Sequence, residues 1–160
     1  MKTLITYYSY SGITDKVAGI FADVLKKKGE VVSQRLKPKV EIVTFLGQCK
    51  AAFTRQRTEL VEKDLIFDAS AYDLILIGCP VWAFAPVPAI NTYLDKISGL
   101  NGKRVIVFLT SGSGAGVGKC FKNIRTELRG NGAYEIDEVN IPNRMMGNEN
   151  SIISSLEKVL

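Results

Sequence analysis

The 160-residue chain contains no histidine and only three cysteines, Cys49, Cys79 and Cys120. Without imidazole there is no histidine general base, and zinc or haem ligation is not expected. Three widely spaced cysteines with no C-x-x-C pair argue against a disulfide framework and for a reducing compartment, so the cytoplasm is the expected location. No apolar run approaches the ~20 residues of a membrane span. The N-terminus, one Lys followed by a strand pattern, does not resemble a signal peptide. No membrane partner is expected. Acidic residues are also missing from two stretches, 80–87 and 110–119.

What remains is an ordinary globular composition, 46% hydrophobic and 23% charged, enough for one domain over 1–160 with a substantial core. The net charge of +5 is unevenly spread. Lys26 to Arg57 holds nine basic residues against two acidic, while the rest holds twelve against fourteen. The basicity thus belongs to one segment, and a solvated face is the commoner reading of such a run. No nucleic-acid motif accompanies it, so no nucleic-acid partner is expected.

Periodicity gives an alternating α/β chain. Thr3–Tyr8 is apolar and β-branched or aromatic, a buried strand. Val17, Ile20, Phe21, Val24 and Leu25 then recur at helical spacing. Glu30–Leu36 suits an edge strand. The segment 37–70 is the least legible, a basic excursion with an amphipathic helix inside 45–60 that sets Leu46, Ala52, Phe53 and Leu60 on one side. Tyr72–Cys79 and Lys103–Thr110 are nearly uninterrupted apolar runs, the pattern of central strands. Helices follow around Ile90–Ile97 and Phe121–Leu128. Tyr134–Ile141 is a fifth strand, and a last helix, capped at Asn150 or Ser151, turns Ile152, Ile153, Leu156 and Val159 inward. Five strands alternating with helices predict a three-layer α/β/α fold around a parallel sheet in the order 2-1-3-4-5.

Ligands in such sheets bind at the carboxyl ends of the strands, where strand order reverses. Three unusual loops fall there, after the first, third and fourth strands. Ser9, Tyr10, Ser11, Gly12, Ile13 and Thr14 form a strand-to-helix turn whose amides and hydroxyls suit a phosphate. The alternative is a plain helix cap, since Ser and Thr are ordinary caps. Pro80, Val81, Trp82, Ala83 and Phe84 bring two flat aromatic surfaces. Ser111, Gly112, Ser113 and Gly114 open a glycine-rich loop through which backbone donors approach a ring edge. A phosphate, a linker and a planar heterocycle describe FMN. No residue presents itself as catalytic and no metal site is expected.

On these residues the chain resembles the flavodoxin family over nearly its whole length. Tyr7, Ser9, Gly12, Thr14 and Ala18 match the family's N-terminal signature, with Phe21 in the final aliphatic place and Thr6 in an earlier apolar one. Gly78, Cys79, Pro80, Val81 and Trp82 look like its Gly-Cys-x-x-Trp run. The resemblance implies that Ser9–Thr14 binds the FMN phosphate, that Trp82 stacks on the isoalloxazine, and that Pro80–Phe84 and Ser111–Gly114 line the ring. Ala83 stands where many relatives have Gly, and the second and third loops lack their usual acids. Both departures imply a flavin biased toward two-electron chemistry, with Ala83 raising the cost of a positive-φ peptide flip by about 1 kcal/mol.

Two other phosphate-handling readings fail. Gly118-Lys119 lacks the P-loop's earlier Gly, since Ser113 occupies that place, and its hydroxyl, replaced by Cys120. A Mg²⁺-binding receiver needs acids after the first and third strands, where Tyr8-Ser9 and Cys79-Pro80 stand instead. The expected function is electron transfer through non-covalent FMN, with redox partner proteins, acidic ones given the basic segment. The alternative is an NAD(P)H-dependent reductase of a quinone, nitro compound or similar small acceptor.

Overall fold

The computed structural model describes residues 1–160. Five strands, β1 (Lys2–Tyr7), β2 (Glu30–Arg35), β3 (Leu74–Pro80), β4 (Arg104–Ser111) and β5 (Glu135–Pro142), form one parallel sheet in the order β2-β1-β3-β4-β5. The helices are α1 (Ile13–Lys26), α2 (Phe45–Phe53), α3 (Pro88–Lys96), α4 (Val117–Gly130) and α5 (Glu149–Glu157).

Side chains of the central strands alternate between two cores, as a period of two requires. Ile75, Ile77, Val105, Val107 and Leu109 meet Ile90, Leu94, Ile124 and Leu128 of α3 and α4 on one face. Leu74, Leu76, Ile106 and Phe108 meet Phe21, Leu25, Ile152 and Leu156 of α1 and α5 on the other. Both faces of β3 and β4 are covered, which explains their continuous apolar sequences. Cys79 and Cys120 lie buried in the first core. The neighbouring Cys79 and burial raise the Cys120 thiol, while the Cys79 thiol donates to Pro80 O at 3.1 Å.

The segment after β2 departs from a simple crossover. Lys39 N–H donates to Glu59 O and Val61 N–H to Lys37 O, both at 2.8 Å, making a narrow neck with α2 beyond it. Leu60 belongs to that neck and is buried there, paired with Pro38. It is not on the helix, and Leu46 and Phe53 face solvent while Ala51 and Ala52 pack inward. Of the expected apolar side, Ala52 is therefore the one helical residue that is covered. The last helix begins at Glu149, its cap being the Asn148 side chain on Ser151 N–H at 3.1 Å, two residues or more before the expected cap. Of its apolar positions Ile152 and Leu156 are fully buried, whereas Ile153 and Val159 are partly so.

A buried polar network holds the returning chain. Gln34 Nε2 donates to Ile66 O at 2.9 Å while its Oε1 accepts from Ile66 N–H at 2.8 Å. The Tyr93 hydroxyl donates to Ile66 O at 3.0 Å and accepts from Thr6 Oγ1 at 3.1 Å. Burial pushes the Tyr93 phenol up to about 12, and burial with the hydrogen bond to Asp15 does the same to Tyr7. Their folded values exceed the 10.0 of a free tyrosine. The stability tied to these neutral phenols is thus intact below pH 10 and is lost as pH rises through 12. Urea unfolding free energy is expected to fall across that window. Tyr93, the more enclosed of the two, accounts for about 2–3 kcal/mol, and Tyr93→Phe should flatten the decline.

Candidate functional site

The three loops meet in one cleft at the carboxyl ends of β1, β3 and β4, because strand order places those strands side by side. Its lining comes from Tyr10, Ser11, Ile13, Thr14, Pro80, Val81, Trp82, Thr110, Ser111, Gly112 and Asn143. Nine of the sequence-derived residues are therefore brought together.

The first loop is built around Gly12. It takes φ of +86° at the N-cap of α1, a backbone position that favours glycine, and provides no side-chain cap. Its own N–H donates to Ser9 Oγ at 3.1 Å. Ser9 is thus buried in closing the turn, and neither Ser9 nor Gly12 lines the cleft. The amides of Ser11, Ile13, Thr14 and Asp15 have no acceptor within the protein. Four unpaired N–H groups at a helix N-terminus, where the dipole favours negative charge, suit an anion. No side chain caps the helix, and the one hydroxyl contact within the turn is that of Ser9 to Gly12. Arg35 braces the turn from outside, donating to Ser9 O at 2.6 Å. Lys16 points outward to Met146 O at 3.2 Å.

Thr14 and Thr110 hydroxyls meet at 2.8 Å beneath the cleft, tying the first loop to the third. Ser111 Oγ donates to Asn140 Oδ1 at 3.1 Å, tying the third loop to β5. Ser113 accepts from Ala115 N–H and Gly114 turns at φ +82°, so both shape the third loop outside the cleft lining. Asn143, one residue past β5, enters the cleft from a side that the loop motifs did not mark. Its signal was topological, since β5 lies beside β4 and ends at the same edge.

Trp82 forms the wall of the cleft. Tyr8 and Tyr10 stand edge-on to it, with centroids at 5.8 and 6.1 Å. Behind it lies a small apolar pocket bounded by Val40, Ile42, Val87 and Pro88. There the Tyr8 hydroxyl donates to Glu41 Oε2 at 2.7 Å; burial, then this hydrogen bond, raises the phenol. The edge-on tyrosines brace the indole, which borders both the cleft and this pocket.

The chain then reverses sharply. Trp82 and Ala85 exchange both backbone hydrogen bonds, at 3.1 and 2.9 Å, across a two-residue turn. Ala83 and Phe84 have φ of +43° and +69°, the sign pattern of a type I′ hairpin usually filled by Asn-Gly. The left-handed cost assigned to a peptide flip at Ala83 is thus already present in this turn. Phe84 does not line the cleft. Its ring sits over Gly116, where an added Cβ would come within 2.0 Å of Cδ1. Ala83 and Phe84 both border a separate depression shared with Phe53, Arg55 and Lys119. Ala83→Gly is expected to stabilise the fold by about 1 kcal/mol in urea unfolding, since glycine adopts positive φ without the Cβ clash.

Sheet order, an uncapped helix N-terminus and an aromatic wall define a doubly wound α/β protein with a cleft at the strand ends. The flavodoxin family model matches residues 2–141, and the chain belongs to that family. Three solved structures show the same fold. A flavoprotein from Lactobacillus acidophilus NCFM in complex with FMN is 23% identical, with a TM-score of 0.67 over 93% of this chain and 98% of that one. A protein from Bacteroides uniformis ATCC 8492 described as a flavoprotein is 24% identical, with a TM-score of 0.73 over 98% and 97%. Oxidised flavodoxin 1 from Bacillus cereus is 18% identical, with a TM-score of 0.61 over 100% and 99%. No curated protein matches the sequence significantly.

Proposed function

We propose that this chain is an electron-transfer flavoprotein that holds FMN non-covalently in the cleft between the loops of β1, β3 and β4. The observation that carries the reading is the uncapped N-terminus of α1, with four unpaired amides in the cleft that Trp82 also lines. Bound there, FMN supplies reversible acceptance and release of one or two electrons. The chain's residues bind, orient and shield it. Ser11, Ile13 and Thr14 supply phosphate donors, with the Thr14 hydroxyl fixed by Thr110. Trp82 supplies the flat wall, and Ser111, Gly112 and Asn143 the polar opposite rim. Ser9 and Gly12 hold the turn's shape.

The acid-free rim of the second and third loops places no negative charge against the ring. This favours gain of negative charge by the bound flavin relative to an acidic rim. A second reading, an NAD(P)H-dependent reductase of quinones or nitro compounds, draws on that same feature. The FMN-loaded chain, mixed with NADH or NADPH and no partner, should keep its yellow absorbance for minutes. After dithionite reduction it should be reoxidised promptly by cytochrome c. Prompt bleaching by a nicotinamide, with turnover on added quinone, would replace the carrier reading by the reductase.

A further inference from the structure

The fold divides the basic segment in two. Lys26, with Lys27 and Lys28 just beyond it, closes α1 at the edge where the strands begin, whereas Lys37, Lys39, Lys50, Arg55 and Arg57 belong to the excursion at the opposite edge. Glu41 is the one acidic residue between Leu36 and Thr58, and it is engaged by Tyr8. Lys39 and Arg57 are paired with Glu59 and Asp95, which leaves Lys37, Lys50 and Arg55 without an acidic partner. On this background Val40, Val43, Phe45, Leu46 and Phe53 are each between 70% and 80% exposed. Phe45, Cys49 and Phe53 follow one another at four-residue steps with Leu46 beside them, an apolar stripe facing away from the body. Lys50 stands one turn from Leu46 and three residues from Phe53, on the same side. Arg55 and Lys119 flank the depression that Phe53 shares with Phe84.

We propose that this face is a docking surface for an anionic membrane, with Phe45, Leu46 and Phe53 entering the headgroup boundary and Lys50, Arg55 and Lys119 meeting lipid phosphates. No helix is long and apolar enough to cross a membrane, and surface docking needs none. A second copy is disfavoured, since pairing two such faces brings like-charged rims together. Five protruding side chains suit a fluid interface better than the small contact of a transient redox protein. Docked this way, the hairpin carrying Trp82 and Phe84 lies at the lipid surface, within reach of a lipid-soluble acceptor. The docking rests on the surface residues and not on the FMN reading.

The test is co-sedimentation of the purified chain, with and without FMN, with phosphatidylcholine vesicles containing or lacking one-third phosphatidylglycerol. Binding to the anionic vesicles alone is expected at ionic strengths of about 0.1 M, and it should weaken as salt rises. Phe45→Ser with Leu46→Ser should reduce it more than about tenfold, and Lys50→Ala about fivefold. Both variants should keep the parent's circular dichroism, because the changed side chains are exposed. Tyr134→Ser, an exposed aromatic at the other edge of the sheet, should change nothing. Failure to bind anionic vesicles, equal binding to neutral ones, or indifference to the Phe45 and Leu46 changes would overturn the proposal. So would a dimer in sedimentation equilibrium that the same changes dissolve.

Discussion

FMN should bind a Ser11→Glu variant about a hundredfold more weakly than the natural chain, while riboflavin binding changes by less than about twofold. The expectation follows from charge and position. Ser11 lines the cleft beside the unpaired amides of Ile13 and Thr14. A carboxylate about 5 Å from one phosphate charge repels it by about 3 kcal/mol at an effective dielectric constant of ~20, a factor on the order of 100. Riboflavin lacks the phosphate and escapes the penalty. The fold is not at risk, because an acid near a helix N-terminus interacts favourably with the macrodipole. Fluorescence titration with the two flavins gives both affinities. Equal weakening of both ligands would place the phosphate elsewhere.

The second large effect concerns the floor beneath the site. Gly78→Val should lower the unfolding free energy by about 3 kcal/mol and the melting temperature by about 6–12 °C. A Cβ at Gly78 would lie 2.2 Å from Phe108 Cζ and within 2.8 Å of two further ring atoms. The Phe108 ring cannot retreat, since it packs edge-on to Phe21 at 5.1 Å inside the α1 and α5 core. Gly78 also pairs with Tyr7 in the strand that leads into the first loop, so the distortion reaches the cleft. Phe108→Leu makes room for the added methyls, and the double variant should be more stable than the sum of the two losses. Thermal and urea unfolding of the four proteins checks this. Strict additivity would mean that the contact does not set the cost.

How much of this was legible in the sequence depended on the kind of information involved. Continuous apolar runs at Leu74–Pro80 and Arg104–Ser111 can only be strands covered on both faces, so sheet order and the convergence of three loops followed. Loop composition pointed to nine residues that line the cleft but could not say which way each faces. Phe84 is aromatic and adjacent to Trp82, yet a two-residue reversal with positive φ at both centres turns it onto Gly116. Neither Ala83 nor Phe84 is a turn-former, so the hairpin left no compositional mark. Asn143 enters through strand adjacency, which no local motif carries. The helix in the excursion was expected, but periodicity identifies an apolar face without saying whether the protein covers it. In α2 the covered positions are Ala51 and Ala52, and the large residues are left outside.

The most direct test of the central claim is a paired titration of the purified natural chain with FMN and with riboflavin, followed by flavin fluorescence. FMN should bind one to one, quenched by the aromatic wall at Trp82, at least about a hundredfold tighter than riboflavin, because the α1 N-terminus takes the phosphate. No binding of FMN, or equal affinity for the two flavins, would contradict it.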